Sequence, residues 1–164
     1  MYNLKKSIKS LAAAMMIVLT NSADAASTAT STFSVTSVVS SVCTIASTNL
    51  SFGTYTLVQL DGTSTVTVTC SAGTNFKVGL NAGTGSGATV SARKMTSGSN
   101  SLNYGMYRDS NRSLNWGNTP GTDTVNGTGT GSAQAFTLYG RIPANQSSPV
   151  GNYSDTITAT VTFS

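Results

Sequence analysis

The residue types that carry out most enzymatic proton transfer are nearly missing from this sequence. It has no histidine and no glutamate, so the commonest general base and half the carboxylate repertoire are lacking. The aspartates beyond the N-terminal region, Asp61, Asp109, Asp123 and Asp155, are far apart in sequence and stand beside glycine, serine or threonine in turn-like surroundings. Serines are plentiful, but a serine nucleophile requires a base within reach, and only Lys77, Lys94 or a remote aspartate is on offer. The glycine stretches Gly83–Gly87 and Gly127–Gly131 resemble phosphate loops only superficially, because such loops join a strand to a helix N-terminus at fixed spacing. They read as hairpin loops. No catalytic residue, metal ligand or cofactor is expected, and the chain is not expected to be an enzyme.

The remaining reactive pair is Cys43 and Cys70. Its chemistry depends on the compartment, and the N-terminus speaks to that. Lys5, Lys6 and Lys9 precede a short apolar run, Leu11–Leu19, and then Ala23-Asp24-Ala25, a small-x-small cleavage signal. The run is about half of the ~20 residues that a membrane span needs. Residues 1–25 therefore read as a secretory signal peptide, leaving a mature chain of about 140 residues, the size of one domain. In an exported chain a lone cysteine pair is most economically a disulfide. Two thiols without histidine do not complete a zinc shell. The mature cations are scattered, with Arg93-Lys94 the only adjacent pair, so no nucleic-acid stripe exists. Asn-x-Ser/Thr triplets at Asn111, Asn126, Asn145 and Asn152 are the kind that arise by chance in so Asn/Ser/Thr-rich a chain.

The elements that must position these residues are strands. Val, Phe, Tyr, Leu and Ile alternate with Thr and Ser in short runs, the pattern of half-buried strands, and Thr and Val are themselves strand formers. The runs are Leu50–Tyr55, Val66–Cys70, Phe76–Leu80, Leu102–Met106, Phe136–Ile142 and Tyr153–Phe163. Turn-rich connections lie at Asp61-Gly62, Asn81–Gly87, Ser97–Ser101 and Gly117–Gly131. Roughly six or seven such strands indicate a two-sheet sandwich of immunoglobulin-like type. Among Tyr104, Tyr107, Trp116, Arg108 and Arg112, the favoured reading puts Tyr104 in the core and Trp116 over a sandwich edge, rather than a sugar- or protein-binding cluster. Upstream, period two runs unusually long, from Ala29 to Ile45. Either this segment bends into two strands or half of it leaves its own domain.

Several stretches then carry a resemblance. Phe33–Gly53 (FSVTSVVSSVCTIASTNLSFG), Val66–Cys70 (VTVTC), Tyr104–Arg112 (YGMYRDSNR) and Pro149–Phe163 (PVGNYSDTITATVTF) are similar to the spore coat protein U domain of archaic chaperone–usher pilins. Its most specific parts are the cysteine followed by a Leu-x-Phe-Gly step, and Gly-x-Tyr-x-Asp-Thr opening an alternating C-terminal strand. The resemblance implies an all-β, incomplete immunoglobulin-like β-sandwich that is completed by a donor strand. It implies a structural subunit of a surface pilus or fimbria, exported through the periplasm and supporting adhesion and biofilm formation. The implied partners are a periplasmic chaperone, an outer-membrane usher, and identical or related pilin subunits in a head-to-tail polymer, with no nucleic acid. Residues 26–164 would form the domain and about 26–37 the donor segment, with Phe33 and Val35 as plugs. Val38–Ile45 would then be the subunit's own first strand. Ile157, Ala159, Val161 and Phe163 would line the edge where chaperone or donor pairs. The alternative for the N-terminal segment is one long edge strand bent at Ser37. The alternative functions are a tip adhesin or a non-fibrous spore or cell coat protein.

Overall fold

A computed structural model describes residues 26–164. The expected leader, with Lys5, Lys6, Lys9, Leu11–Leu19 and Ala23–Ala25, lies outside the described residues. By its contacts the chain divides into two units, Met1–Ser37 and Val38–Ser164. Of the first, residues 26–37 carry no strand, and Phe33 and Val35 are 87% and 85% exposed.

The second unit is built from β1 (Cys43–Ser47), β2 (Leu60–Cys70), β3 (Asn75–Leu80), β4 (Arg93–Ser97), β5 (Asn100–Tyr107), β6 (Val125–Thr128), β7 (Ala133–Ile142) and β8 (Ala159–Phe163). A five-stranded sheet has the order β1-β2-β7-β5-β4, and a three-stranded sheet the order β6-β3-β8. Every ladder is antiparallel. The period of two explains which face each strand buries. On β2, Val66, Val68 and Cys70 are buried while Thr65, Thr67 and Thr69 between them stay partly exposed. Phe76, Val78 and Leu80 of β3, Leu102, Tyr104 and Met106 of β5, and Leu138 and Ile142 of β7 complete the core. The architecture is an all-β sandwich of immunoglobulin-like type.

A disulfide joins Cys43 to Cys70, which face each other in the β1–β2 ladder with Cα atoms 4.1 Å apart. β1 begins at Cys43, not at Val38. Val38 and Val39 are both 90% exposed, two neighbours that cannot share one pleat face, and β2 ends opposite Cys43. Only Val42 pairs further, exchanging bonds with Ser71.

Two strands appear where composition gave no sign of them. β4 reads Arg-Lys-Met-Thr-Ser, and β6 lies inside the glycine-rich stretch expected to be a connection. β4 forms because the Ser97–Asn100 turn, with Gly98 at φ 58°, folds it back onto β5. Its first residue, Arg93, is wholly buried. The guanidinium donates to the carbonyls of Asn81 (2.9 Å), Val90 (2.7 Å), Leu80 (3.0 Å) and Trp116 (2.7 Å). A buried charge is tolerated when its donors are satisfied, and burial pushes the Arg93 pKa down. Trp116 is no edge cover: it is fully buried, and its indole N–H donates to the Val78 carbonyl at 2.9 Å.

The C-terminal stretch expected as one strand changes sheets. Ser154 exchanges backbone bonds with Thr96 of β4, whereas Ala159–Phe163 pairs with β3.

Candidate functional site

The sandwich is not closed along one side. β1 is one end strand of the larger sheet and β8 one end strand of the smaller, so among the described residues each has an outer edge without a ladder partner. The two strands lie near each other across the sheets. Where the chain runs on from β1 and runs up to β8, a groove of about 1020 Å3 opens between the segments Ser47–Tyr55 and Ser148–Ala159.

One wall is the segment Ser47–Tyr55, which continues from β1. It leaves the β2 ladder at Thr48, whose hydroxyl accepts the Thr65 amide (3.0 Å) while Ser64 Oγ donates to the Thr48 carbonyl (2.5 Å). Leu50 and Phe52 then fold down onto Gly62 and Gly140, which face each other in the β2–β7 ladder. A Cβ on Gly140 would stand 2.7 Å from Leu50 and 2.8 Å from Phe52, so the wall depends on both glycines. Phe52 meets Tyr104 edge to face, centroids 6.1 Å apart. Tyr55 anchors the far end, donating to the Pro143 carbonyl and accepting the Gln146 amide, each at 2.9 Å.

The opposite wall is Ser148–Asp155, continued by Ile157 and Ala159. It is strapped to β5 by side chains. Gln146 both accepts from and donates to the Asn103 backbone, and Ser148 donates to the Ser101 carbonyl. The floor is the core itself: Val66, Leu80, Met95, Leu102, Met106, Leu138 and Ile142.

Asp155 is the one carboxylate on the groove. Tyr104 Oη donates to its Oδ2 at 2.7 Å, and Oδ1 accepts from Thr84 N (2.7 Å), Thr84 Oγ1 (2.9 Å) and Thr156 N (2.7 Å). Partial burial raises its pKa, but the bonds from Thr84, Tyr104 and Thr156 together bring it below the usual carboxylate value. Burial first, and then the Asp155 bond and charge, push the Tyr104 phenol well up. Neither group is placed to trade a proton near neutral pH. Gly83, at φ +85°, passes so close that any side chain there would collide with the Asp155 carboxylate.

The other aspartates also hold the frame. Asp61 takes a bidentate pair from Arg141 (2.7 and 2.8 Å) and a second cation, Arg112, at 3.3 Å. Asp109 accepts from Ser113 and the Leu114 amide, and Asp123 from the Thr119 amide. What the groove offers is an apolar floor between two irregular segments that run on from the edge strands β1 and β8. Such a groove takes an extended segment, whose backbone completes the ladder while alternate side chains enter pockets.

Of the residues singled out in the sequence, Ile157 and Ala159 line this groove. Val161 packs on the core beyond it, and Phe163, 42% exposed and opposite Phe76, also lies outside the groove. The period of two put them in one row, and Ala159, Val161 and Phe163 do share β8, but the groove ends along that strand at Ala159. The wall Leu50–Tyr55 was marked in the sequence only by the Leu-x-Phe-Gly step of the resemblance, without a role, and the methionines of the floor carried no functional signal.

Comparison with known proteins places the chain. The family model described as Spore Coat Protein U domain matches residues 29–160. The chain belongs to this family. "Protein U" of Myxococcus xanthus is 35% identical over 98% of both chains. A solved structure, the CsuC-CsuE chaperone-tip adhesion subunit pre-assembly complex from archaic chaperone-usher Csu pili of Acinetobacter baumannii, matches 75% of this chain with a TM-score of 0.57 at 24% identity. This Spore Coat Protein U domain chain spans 40% of the matched chain in that complex, and the likeness bears on the fold. It agrees with a sandwich of immunoglobulin-like type.

Proposed function

We propose that this chain is a structural, non-enzymatic subunit of a surface pilus assembled by chaperone–usher donor-strand exchange. The observation that carries the reading is the open groove: a floor of core side chains between the continuations of the two edge strands β1 and β8. A soluble sandwich leaves such an edge bare only at the risk of uncontrolled pairing. A periplasmic chaperone strand would cover it during transit. Residues 26–37 of the next subunit would then replace that strand, with Phe33 and Val35 entering the pockets. That segment carries alternating apolar side chains that are exposed in the single chain. Because a head-to-tail contact does not close on itself, repetition gives a filament. An outer-membrane usher would thread the subunits to the cell surface, where the fibre supports adhesion and biofilm formation. Possession of its own donor segment favours a shaft position over a tip adhesin.

The test is a strain lacking residues 26–37 of this chain beside a strain lacking the gene. Electron microscopy and a shear fraction should show fibres in wild type and in neither mutant, while the truncated subunit still accumulates with its chaperone. Fibres of normal number built from the truncated subunit would overturn the reading. A second reading, a non-fibrous coat protein, draws on the full-length similarity to Protein U; it predicts a cell or spore layer without filaments in the same images.

A further inference from the structure

The sequence has five methionines. Met1, Met15 and Met16 precede residue 26, and the other two, Met95 and Met106, both line the groove. Met95 is half-buried on β4 opposite Leu102, and Met106 is 4% exposed on β5 opposite Gly140. Strand propensity does not account for them. The other apolar residues of the floor are Val66, Leu80, Leu102, Leu138 and Ile142, all branched at Cβ or Cγ, and the β-branched ones are stiff at χ1. Methionine is unbranched, with three rotatable bonds and a polarisable sulfur, and it refits to irregular neighbours. The two residues differ in setting as well: Met95 is partly exposed on the edge strand β4, while Met106 is buried beside Gly140, over which Leu50 and Phe52 fold.

We infer that Met95 and Met106 are specificity-determining residues of the groove, allowing its floor to refit to strands with differently shaped plugs. The same space can then hold a chaperone strand and, in its turn, residues 26–37 of a second copy. This inference rests on the donor-strand reading above. A floor of valine and isoleucine would match one occupant and reject the other, whereas an adjustable floor lowers the discrimination between them.

The experiment uses the subunit–chaperone complex and synthetic peptides spanning residues 26–42, with Phe, Leu, Ile or Trp at position 33. Exchange is followed by native mass spectrometry. On the wild-type groove the four peptides should exchange within about threefold of one another. On Met95→Ile and Met106→Ile grooves the spread should widen beyond about tenfold, and Met95→Leu should lie between. An unchanged spread in the isoleucine variants overturns the inference while leaving the donor reading intact. Failure of every peptide on wild type removes both. Should an isoleucine variant not fold, methionine methyl NMR of the wild-type subunit decides the matter. The Met95 and Met106 methyls should change rotamer averaging between the Phe and Leu peptides more than the Leu102 and Leu138 methyls do. Equal behaviour of all four residues overturns the inference.

Discussion

Truncating Phe33 to alanine separates what a residue does for its own subunit from what it does for the neighbour. In the single chain the ring is 87% exposed, so its loss should leave the subunit's unfolding free energy within about 0.5 kcal/mol of wild type. In the proposed joint the same ring would be buried in the groove of the next subunit. Removing a buried phenylalanine side chain costs roughly 3–5 kcal/mol. At about 1.4 kcal/mol per tenfold, the joint should weaken on the order of a hundred- to several-thousand-fold. Phe33→Ala cells should therefore contain normal amounts of chaperone-bound monomer and few, short fibres that fall apart at lower temperature. Monomer and polymer are measured side by side by gel filtration and immunoblotting of periplasmic and sheared fractions. A depleted, unstable monomer would mean that Phe33 serves its own fold and would refute the donor assignment. Fibres of wild-type stability would refute it equally.

Other outcomes test the frame. Loss of the Cys43–Cys70 bond, whose residues are separated by 27 in sequence, should destabilise the subunit by roughly 3–4 kcal/mol on loop-closure grounds, read as a shift of the urea midpoint in Cys43→Ser/Cys70→Ser. Val161→Asp places a carboxylate on β8 opposite the buried Val78 and should abolish chaperone co-purification, because an unpaired charge is costly there; normal co-purification would contradict the packing of β8. Asp155 has a pKa below its unfolded value, so its contribution is present above about pH 4, the unfolded carboxylate range, and is lost as pH falls through the folded pKa. Asp155→Asn should accordingly be less stable at pH 7 and lose less on acidification, as followed by near-UV circular dichroism. Gly83→Ala should reproduce much of the Asp155→Asn defect, since a side chain there displaces the carboxylate.

The sandwich was legible wherever apolar residues recur at period two between turn residues, as in Val66–Cys70, Phe76–Leu80 and Leu102–Met106. It was not legible in β4 and β6. There a buried arginine and a glycine under the Phe76 ring take the places of strand formers, and the partner strands supply the order. The disulfide could be read because the pair stands alone in a chain with an export signature. The groove was only half visible. Alternation showed that Ile157, Ala159 and Val161 share a face, but period two is the same on either sheet, so the crossing between Thr96 and β3 left no trace. The Leu50–Phe52 wall depends on Gly62 and Gly140, which meet it only through long-range pairing. Trp116 was misplaced for a similar reason, because its burial depends on the distant Val78 carbonyl that accepts its indole proton.

The position of the disulfide has a mechanical consequence. In a filament under tension, load arriving through residues 26–42 enters the sandwich at Cys43, the first residue of an edge strand. An edge strand pulled at its end is normally peeled away one ladder bond at a time. Here the first rung is covalent, so the pull passes straight into β2, which is flanked by ladders on both sides. In the proposed filament the subunit itself would then yield only when an interior ladder gives way, rather than by the peeling of its outermost strand.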